Sequence, residues 1–300
     1  NGYLAYRPSA WIAVDGEDSF DFLQSQFSND LGGVAIGEGK YGLWLDQKGR
    51  VQGDSYVLRT DDERFILFSP ITEENTIVEK LEKHIIADDV ELEGQGDRVS
   101  AFCILGSGME VLNRQGWPKA CPGSFNFEGH AVYLLPGRRG KSLAVEIIVP
   151  VQLNDFFEET LQKSAPDIGE LTVNEMEAYR ILSRTPAVPL DIGPGELPQE
   201  GGLEKEAVSF DKGCYLGQEV MSRLHSIGQA RRSLRLVRYE NPVEMGQVIY
   251  HEGKKAGFAK SSTVFEGIHF GLALLTNTVS PASKLKVGDP ETGFAVTLLS

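Results

Sequence analysis

From Gly228 onward the chain is patterned only for β-structure, and this limits its fold more than any other feature. Segments 232–239, 247–251, 255–261, 270–275 and 293–299 read as short strands, with turns at Asn241-Pro242 and His251-Glu252-Gly253. Short strands at even spacing, with no helix between them, predict a separate small barrel or sandwich. Before Gly228 the pattern is mixed. Asp15 caps a helix carrying Phe20, Leu23 and Phe27, which ends at Asn29-Asp30-Leu31-Gly32-Gly33. A β-meander follows at 41–45, 51–59 and 64–68, then a helix from Thr72 with Ile77, Leu81 and Ile85 on one face. Further strands are expected at 90–92, 99–105, 131–135 and 143–149. Pro150 starts a helix with Leu153, Phe156, Phe157 and Leu161, and the capping box Thr172-Val173-Asn174-Glu175 opens another. The predicted class is α+β, with antiparallel sheets and helices on one face.

The 300 residues suffice for one or two conventional domains or three small ones. Forty-three acidic residues against 29 basic ones give a net charge of −14, which argues against nucleic acid as a partner. No apolar run approaches the ~20 residues that cross a bilayer, so no membrane association is expected. Arg223, Arg231, Arg232, Arg235 and Arg238 lie close together in this acidic chain. They read either as a solvated strand face or as a cationic lip for carboxylates.

The three cysteines, Cys103, Cys121 and Cys214, are an odd and sparse set without C-x-x-C. That suggests a reducing compartment. An iron–sulfur cluster ordinarily takes four thiolates, so this chain is not expected to hold one alone. The five histidines form no H-x-H or H-E-x-x-H pattern, and no metal site is expected. The pairs Gly94/Gly96 and Gly106/Gly108 do not build a nucleotide-binding G-x-G-x-x-G. Asn1-Gly2-Tyr3-Leu4 lacks the regions of a secretory signal. The expected location is the cytoplasm, with an organellar matrix left open.

Segment 185–202 is rich in proline and glycine and reads as a long irregular loop, a length often functional. It leads to Lys212-Gly213-Cys214-Tyr215-Leu216-Gly217-Gln218-Glu219. One cysteine there sits in a glycine-flanked turn, behind a lysine and ahead of a helix. Backbone N–H groups and an ammonium favour a thiolate. Cys214 then reads as a nucleophile, a metal-shuttling ligand or a redox sensor; a buried, inert cysteine is the plain alternative. A cysteine hydrolase would need a base, and His225, eleven residues on, fits no local signature. Glu219 and Arg223 read as a surface i,i+4 pair or as ligand contacts. Asn29 and Asp30 read as a helix cap, and Trp44 as core.

The octapeptide resembles the K-G-C-[FY]-x-G-Q-E signature of the folate-binding YgfZ family, relatives of the glycine-cleavage T protein. Further resemblances occur in family order: Asp21 to Asp30, the hairpin Asp46 to Val51, Glu177-x-x-Arg180-Ile181 with Pro189 and Asp191, Leu197 to Glu200, the Arg223…Gly228…Arg232 tail, and Lys255 to Ser262. The resemblance implies a three-part cloverleaf around a folate-sized opening. Residues 1–228 would form two interleaved α+β subdomains, split as 1–40 with 137–228 and 41–136, and 229–300 the barrel. It implies tetrahydrofolate or a one-carbon derivative as ligand, and iron–sulfur client enzymes or assembly factors as partners, without conventional turnover. It assigns the chemistry to Cys214 and Lys212. Folate contacts fall to Asn29, Gly213, Tyr215, Gly217, Gln218, Glu219, Arg223 and Arg232. The chain departs from the family at Arg184-Thr185-Pro186, where a G-x-P step is usual. Two other readings stand beside this one: an aminomethyltransferase passing a one-carbon unit to tetrahydrofolate, and a scaffold that binds no folate.

Overall fold

The computed structural model describes residues 2–299, apart from 107, 115, 116, 118–120, 141–143 and 229. Strands β1 (Gly2–Tyr6) and β2 (Ala10–Asp15) precede α1 (Ser19–Gln26). The meander is β3 (Gly39–Leu45), β4 (Val51–Arg59) and β5 (Arg64–Ser69), followed by α2 (Glu74–Glu82). Next come β6 (Glu91–Gly94), β7 (Val99–Leu105), α3 (Gly108–Arg114), β8 (Gly123–Phe127), β9 (His130–Pro136), β10 (Ala144–Pro150), α4 (Asn154–Ser164) and β11 (Gly169–Glu170). Helices α5 (Val173–Leu182), α6 (Glu204–Ala207) and α7 (Gln218–Ile227) lead to β12 (Arg232–Tyr239), β13 (Val248–His251), β14 (Lys254–Phe265), β15 (Ile268–Thr276), β16 (Leu285–Val287) and β17 (Phe294–Leu298).

These strands form three sheets: β11-β1-β7-β10-β9-β8, β3-β4-β5-β2-β6, and a closed barrel β12-β15-β14-β13-β16-β17. The α+β class with a C-terminal barrel is therefore as expected. The two open sheets interleave along the chain, because the whole second sheet lies between β1 and β7. Sheet membership thus divides the chain at other points than residues 40 and 136: β2 belongs with the meander, and β7 to β9 belong with β1. We propose 228/229 as the boundary of the barrel.

Alternation along the second sheet fills two cores. Ile12, Val14, Trp44, Val57, Phe65 and Leu67 face α1 and α2, where they meet Leu23, Phe27, Ile77 and Leu81. Their neighbours Trp11, Ala13, Leu43, Leu58, Ile66 and Phe68 point the other way. There they pack with Ile148 of the first sheet, Val188 of the irregular loop, Tyr215 of the signature and Leu274 of the barrel. The three parts meet in that shared core.

Several elements escape the sequence pattern. Strands β1, β2, β8 and β16 and helix α3 were not expected. Strand β16 has only three residues, and β11 pairs at two positions. Strand β14 runs to twelve residues because a register shift between Ala259 and Ser262 bends it rather than ending it. Of the expected strand 143–149, residue 143 lies outside the described residues.

One polar network fastens the barrel to the rest. Arg180 of α5 is fully buried. Its guanidinium donates to Asp191 Oδ2 at 2.6 Å, to Thr185 O at 2.8 Å, to Ser261 Oγ of β14 at 2.7 Å, and to Glu177. Asp191 in turn accepts from the backbone N–H of Ala187 and of Ser261. The Glu177, Arg180 and Asp191 spacing seen in the sequence is thus an architectural joint.

Candidate functional site

The signature turn is built to hold one thiol at the surface. Gly217, just before α7, has φ +86°, and a Cβ there would lie 2.7 Å from Asp46 O. Only glycine adopts that conformation cheaply while seated so close to the β3–β4 hairpin. Leu216 N–H donates to Ser25 O, and Gln218 Nε2 donates to Lys212 O. The turn is therefore fixed to the end of α1, to the hairpin and to its own first residue. Cys214 sits in it exposed, which removes the buried-cysteine alternative. Cys121 is also exposed, whereas Cys103 is buried and its thiol pKa is pushed up by desolvation.

The other expected site residues are placed differently. Lys212 is buried. Its amine donates to Gln24 O at 2.6 Å, Phe27 O at 2.7 Å and Asn29 O at 2.9 Å. Burial draws its pKa down to about 8, while nearby Asp30 pushes it back up. Three carbonyls need three N–H donors, which only the protonated amine supplies. Lys212 thus caps the C-terminal end of α1, with its donors used on backbone. Asn29 is likewise occupied: its amide donates to Tyr41 O and Glu206 O, both at 2.8 Å. Arg232 makes a two-point ion pair with Glu200 at 2.7 and 3.0 Å. Glu219 and Arg223 are exposed, and no ion pair joins them among the described residues. Gly213 is exposed, and a Cβ there would meet open space. Tyr215 is buried, its hydroxyl lacks a hydrogen-bond partner, and burial raises its pKa to about 12. Of the arginine group, Arg231 and Arg238 are exposed.

A second polar centre lies in the shared core. Asp54 of β4 is buried and accepts from Thr72 Oγ1 at 2.6 Å, Tyr41 Oη at 2.9 Å and Ser69 Oγ at 3.1 Å. Desolvation raises its pKa; the hydroxyl donors and the Arg138 charge oppose that rise. The Arg138 guanidinium lies 3.8 Å from the centre of the Tyr41 ring and pairs with Glu206 of α6 at 2.8 Å. Its Nη2 is buried without a partner. A cavity of about 280 Å³ opens beside this pair, lined by Arg138, Glu206, Arg184, Thr185, Gly201 and Gly202 among others.

None of the ten sequence-derived residues lines this cavity. The sequence reading missed Tyr41, Asp54, Arg138 and Glu206. Two signals pointed there: a lone carboxylate inside an apolar strand, and a pair of arginines between Gly137 and Gly140.

The cavity's donor set suits a pterin. Glu206 offers a carboxylate for an aminopyrimidine edge, and the Arg138 guanidinium paired with it offers donors for a carbonyl. The volume is at the lower limit of ligand pockets, about 300 Å³, so a folate tail would extend outside it.

The family model described as the GCVT N-terminal domain matches residues 8–114. A putative chloroplastic transferase of Arabidopsis thaliana is 24% identical over 295 residues, covering 94% of this chain and 67% of the relative. The mitochondrial iron–sulfur cluster assembly factor IBA57 homolog of Yarrowia lipolytica is 24% identical over 288 residues, covering 82% and 55%. Mouse IBA57 is 32% identical over 134 residues, covering 41% and 36%. The chain thus spans little more than half the length of the Yarrowia relative. Among solved structures, the glycine cleavage system aminomethyltransferase T from Bartonella henselae superposes with TM-score 0.80 at 17% identity, over 100% of this chain and 85% of that one. This likeness shows the fold. Taken together, these similarities liken the N-terminal third of the chain to the GCVT N-terminal domain and longer stretches of it to IBA57 proteins.

Proposed function

We propose that this protein binds a reduced folate in the Arg138–Glu206 cavity and assists the assembly or repair of iron–sulfur clusters in client proteins through Cys214. The observation that carries the reading is one exposed thiol on a glycine-locked turn, in a fold shared with an aminomethyltransferase and in a chain similar to named iron–sulfur cluster assembly factors. The ligand would be tetrahydrofolate or a one-carbon derivative, and it would supply one-carbon chemistry when bound. Arg138 and Glu206 would hold the pterin edge, with Tyr41 packed behind the Arg138 guanidinium and its hydroxyl fixed by Asp54. Cys214 would engage the client's cluster or its sulfur. No group of three or more metal-ligating side chains occurs among the described residues, so cluster metal would be cargo shared with a partner. The named relatives are mitochondrial and chloroplastic, which supports an organellar matrix over the cytoplasm expected first. No described helix is long and apolar enough to cross a membrane.

Calorimetry with tetrahydrofolate tests the ligand. We expect saturable heat that Arg138→Ala weakens at least tenfold; no saturable heat at millimolar ligand would leave only the scaffold reading. In a strain lacking the protein, Cys214→Ala should fold normally, because alanine is tolerated at an exposed turn, and should fail to support iron–sulfur enzymes. Full rescue by that variant would remove the thiol from the proposal. The fold shared with an aminomethyltransferase is what supports the aminomethyl-transfer reading. Production of methylene-tetrahydrofolate from an aminomethyl-lipoyl carrier would favour it.

A further inference from the structure

A second cleft, about 350 Å³ in volume, lies between α2 and the β3–β4 hairpin, against the signature turn. Its lining includes Thr76, Lys80, Lys83 and His84 from α2 and its C-terminal extension, with Gln47 and Gln52 from the hairpin side. Leu216, two residues past Cys214, closes one end. Neither Lys80 nor Lys83 enters an ion pair among the described residues, in a chain of net charge −14. Lys80 is held in place by one donation, to Leu45 O at 2.6 Å, leaving two N–H donors.

Two acidic residues also line the cleft. Asp46 is turned to the backbone: its Oδ1 accepts from the N–H of both Lys48 and Arg50 at 2.8 Å. Glu79 is exposed to water. Neither neutralises the cluster at contact distance. The electrostatic strain is visible in the titration of its members. Burial and Lys83 lower Lys80 to about 8, against the pull of Asp46, and burial with Lys80 and Lys83 lowers His84. An anion between them would favour the charged forms of Lys80 and His84.

We propose that this cleft binds a small ligand through a phosphate or carboxylate group, with Lys80, Lys83 and His84 as its cationic wall and Thr76, Gln47 and Gln52 as neutral donors. The site is distinct from the Arg138 cavity, and it puts the bound anion beside the turn that carries Cys214. Its occupation does not depend on folate binding, so the two proposals fail separately.

Competitive acetylation of the folded protein, read residue by residue by mass spectrometry, tests it. Inorganic phosphate and glutarate serve as probes, with chloride at equal ionic strength as the control. Lys80 should react faster than the exposed lysines near pH 8. A probe should slow that reaction severalfold and shift the His84 ring resonances saturably, whichever anion the site prefers. Protection by phosphate alone would assign a phosphate ligand, and protection by glutarate alone a carboxylate. Lys83→Glu, at an exposed position, should keep the fold and abolish the protection. Lys80 reactivity unchanged by either probe, or protection that survives in Lys83→Glu, would overturn the proposal.

Discussion

Replacing Arg180 by methionine should expose how the barrel is held. The side chain is fully buried, as is its partner Asp191, and the two meet at 2.6 Å. Methionine fills similar space but leaves a carboxylate in the core without its countercharge. Removing one partner of a buried pair costs about 3–5 kcal/mol. Asp191 keeps its two backbone donors, Ala187 N–H and Ser261 N–H, so the lower half of that range applies. The Thr185 carbonyl and the Ser261 hydroxyl also lose a donor, adding about 1 kcal/mol each. The expected total, about 5–6 kcal/mol, is a large part of the roughly 5–15 kcal/mol that holds a domain folded. Urea unfolding measures it, and the melting temperature should fall on the order of 10 °C. Glu177→Gln, at a half-exposed position, should cost far less. A loss under about 1 kcal/mol in Arg180→Met would refute the account of this joint.

Other expectations follow from the same geometry. Gly217→Ala should destabilise by about 2 kcal/mol or more, since a left-handed φ and a Cβ 2.7 Å from Asp46 O both oppose it; denaturant midpoints check this. Lys212→Met should lower stability by leaving three carbonyls of the α1 end uncapped. Hydrogen exchange in α1 should report it. Lys80 has a folded pKa of about 8, below its ordinary 10.5. The folded state therefore holds fewer protons between these values, and stability gained from this group should rise as pH climbs from 8 to 10.5. Lys80→Met should lose that slope in pH-dependent melting.

The signature region was legible because its demands are local. A residue forced to positive φ, a lysine long enough to reach a helix end and a cysteine in a tight turn leave marks within eight positions. The elements that escaped lack such marks. Strand β16 has three residues, and β1 and β2 read as strands only once β7 and β5 stand beside them. The polar centre at Asp54 is scattered over residues 41, 54, 69, 72, 138 and 206, and nothing in the sequence joins those positions.

What the sequence determined by itself was the class of architecture, the closing all-β unit and the presentation of one thiol, because each follows from periodicity or backbone conformation. What the tertiary structure decided was which polar groups are free to act. Lys212, Asn29 and Arg232 have the chemistry of ligand contacts, but folding spends the donors of Lys212 and Asn29 on α1 and on the backbone of Tyr41 and Glu206, and commits part of Arg232's to Glu200. Arg138 has only its arginine neighbour between two glycines to mark it in sequence, yet it ends in the shared core with a donor unpaired. A hydrogen bond made within the protein is unavailable to a ligand, and only long-range packing settles which ones are made.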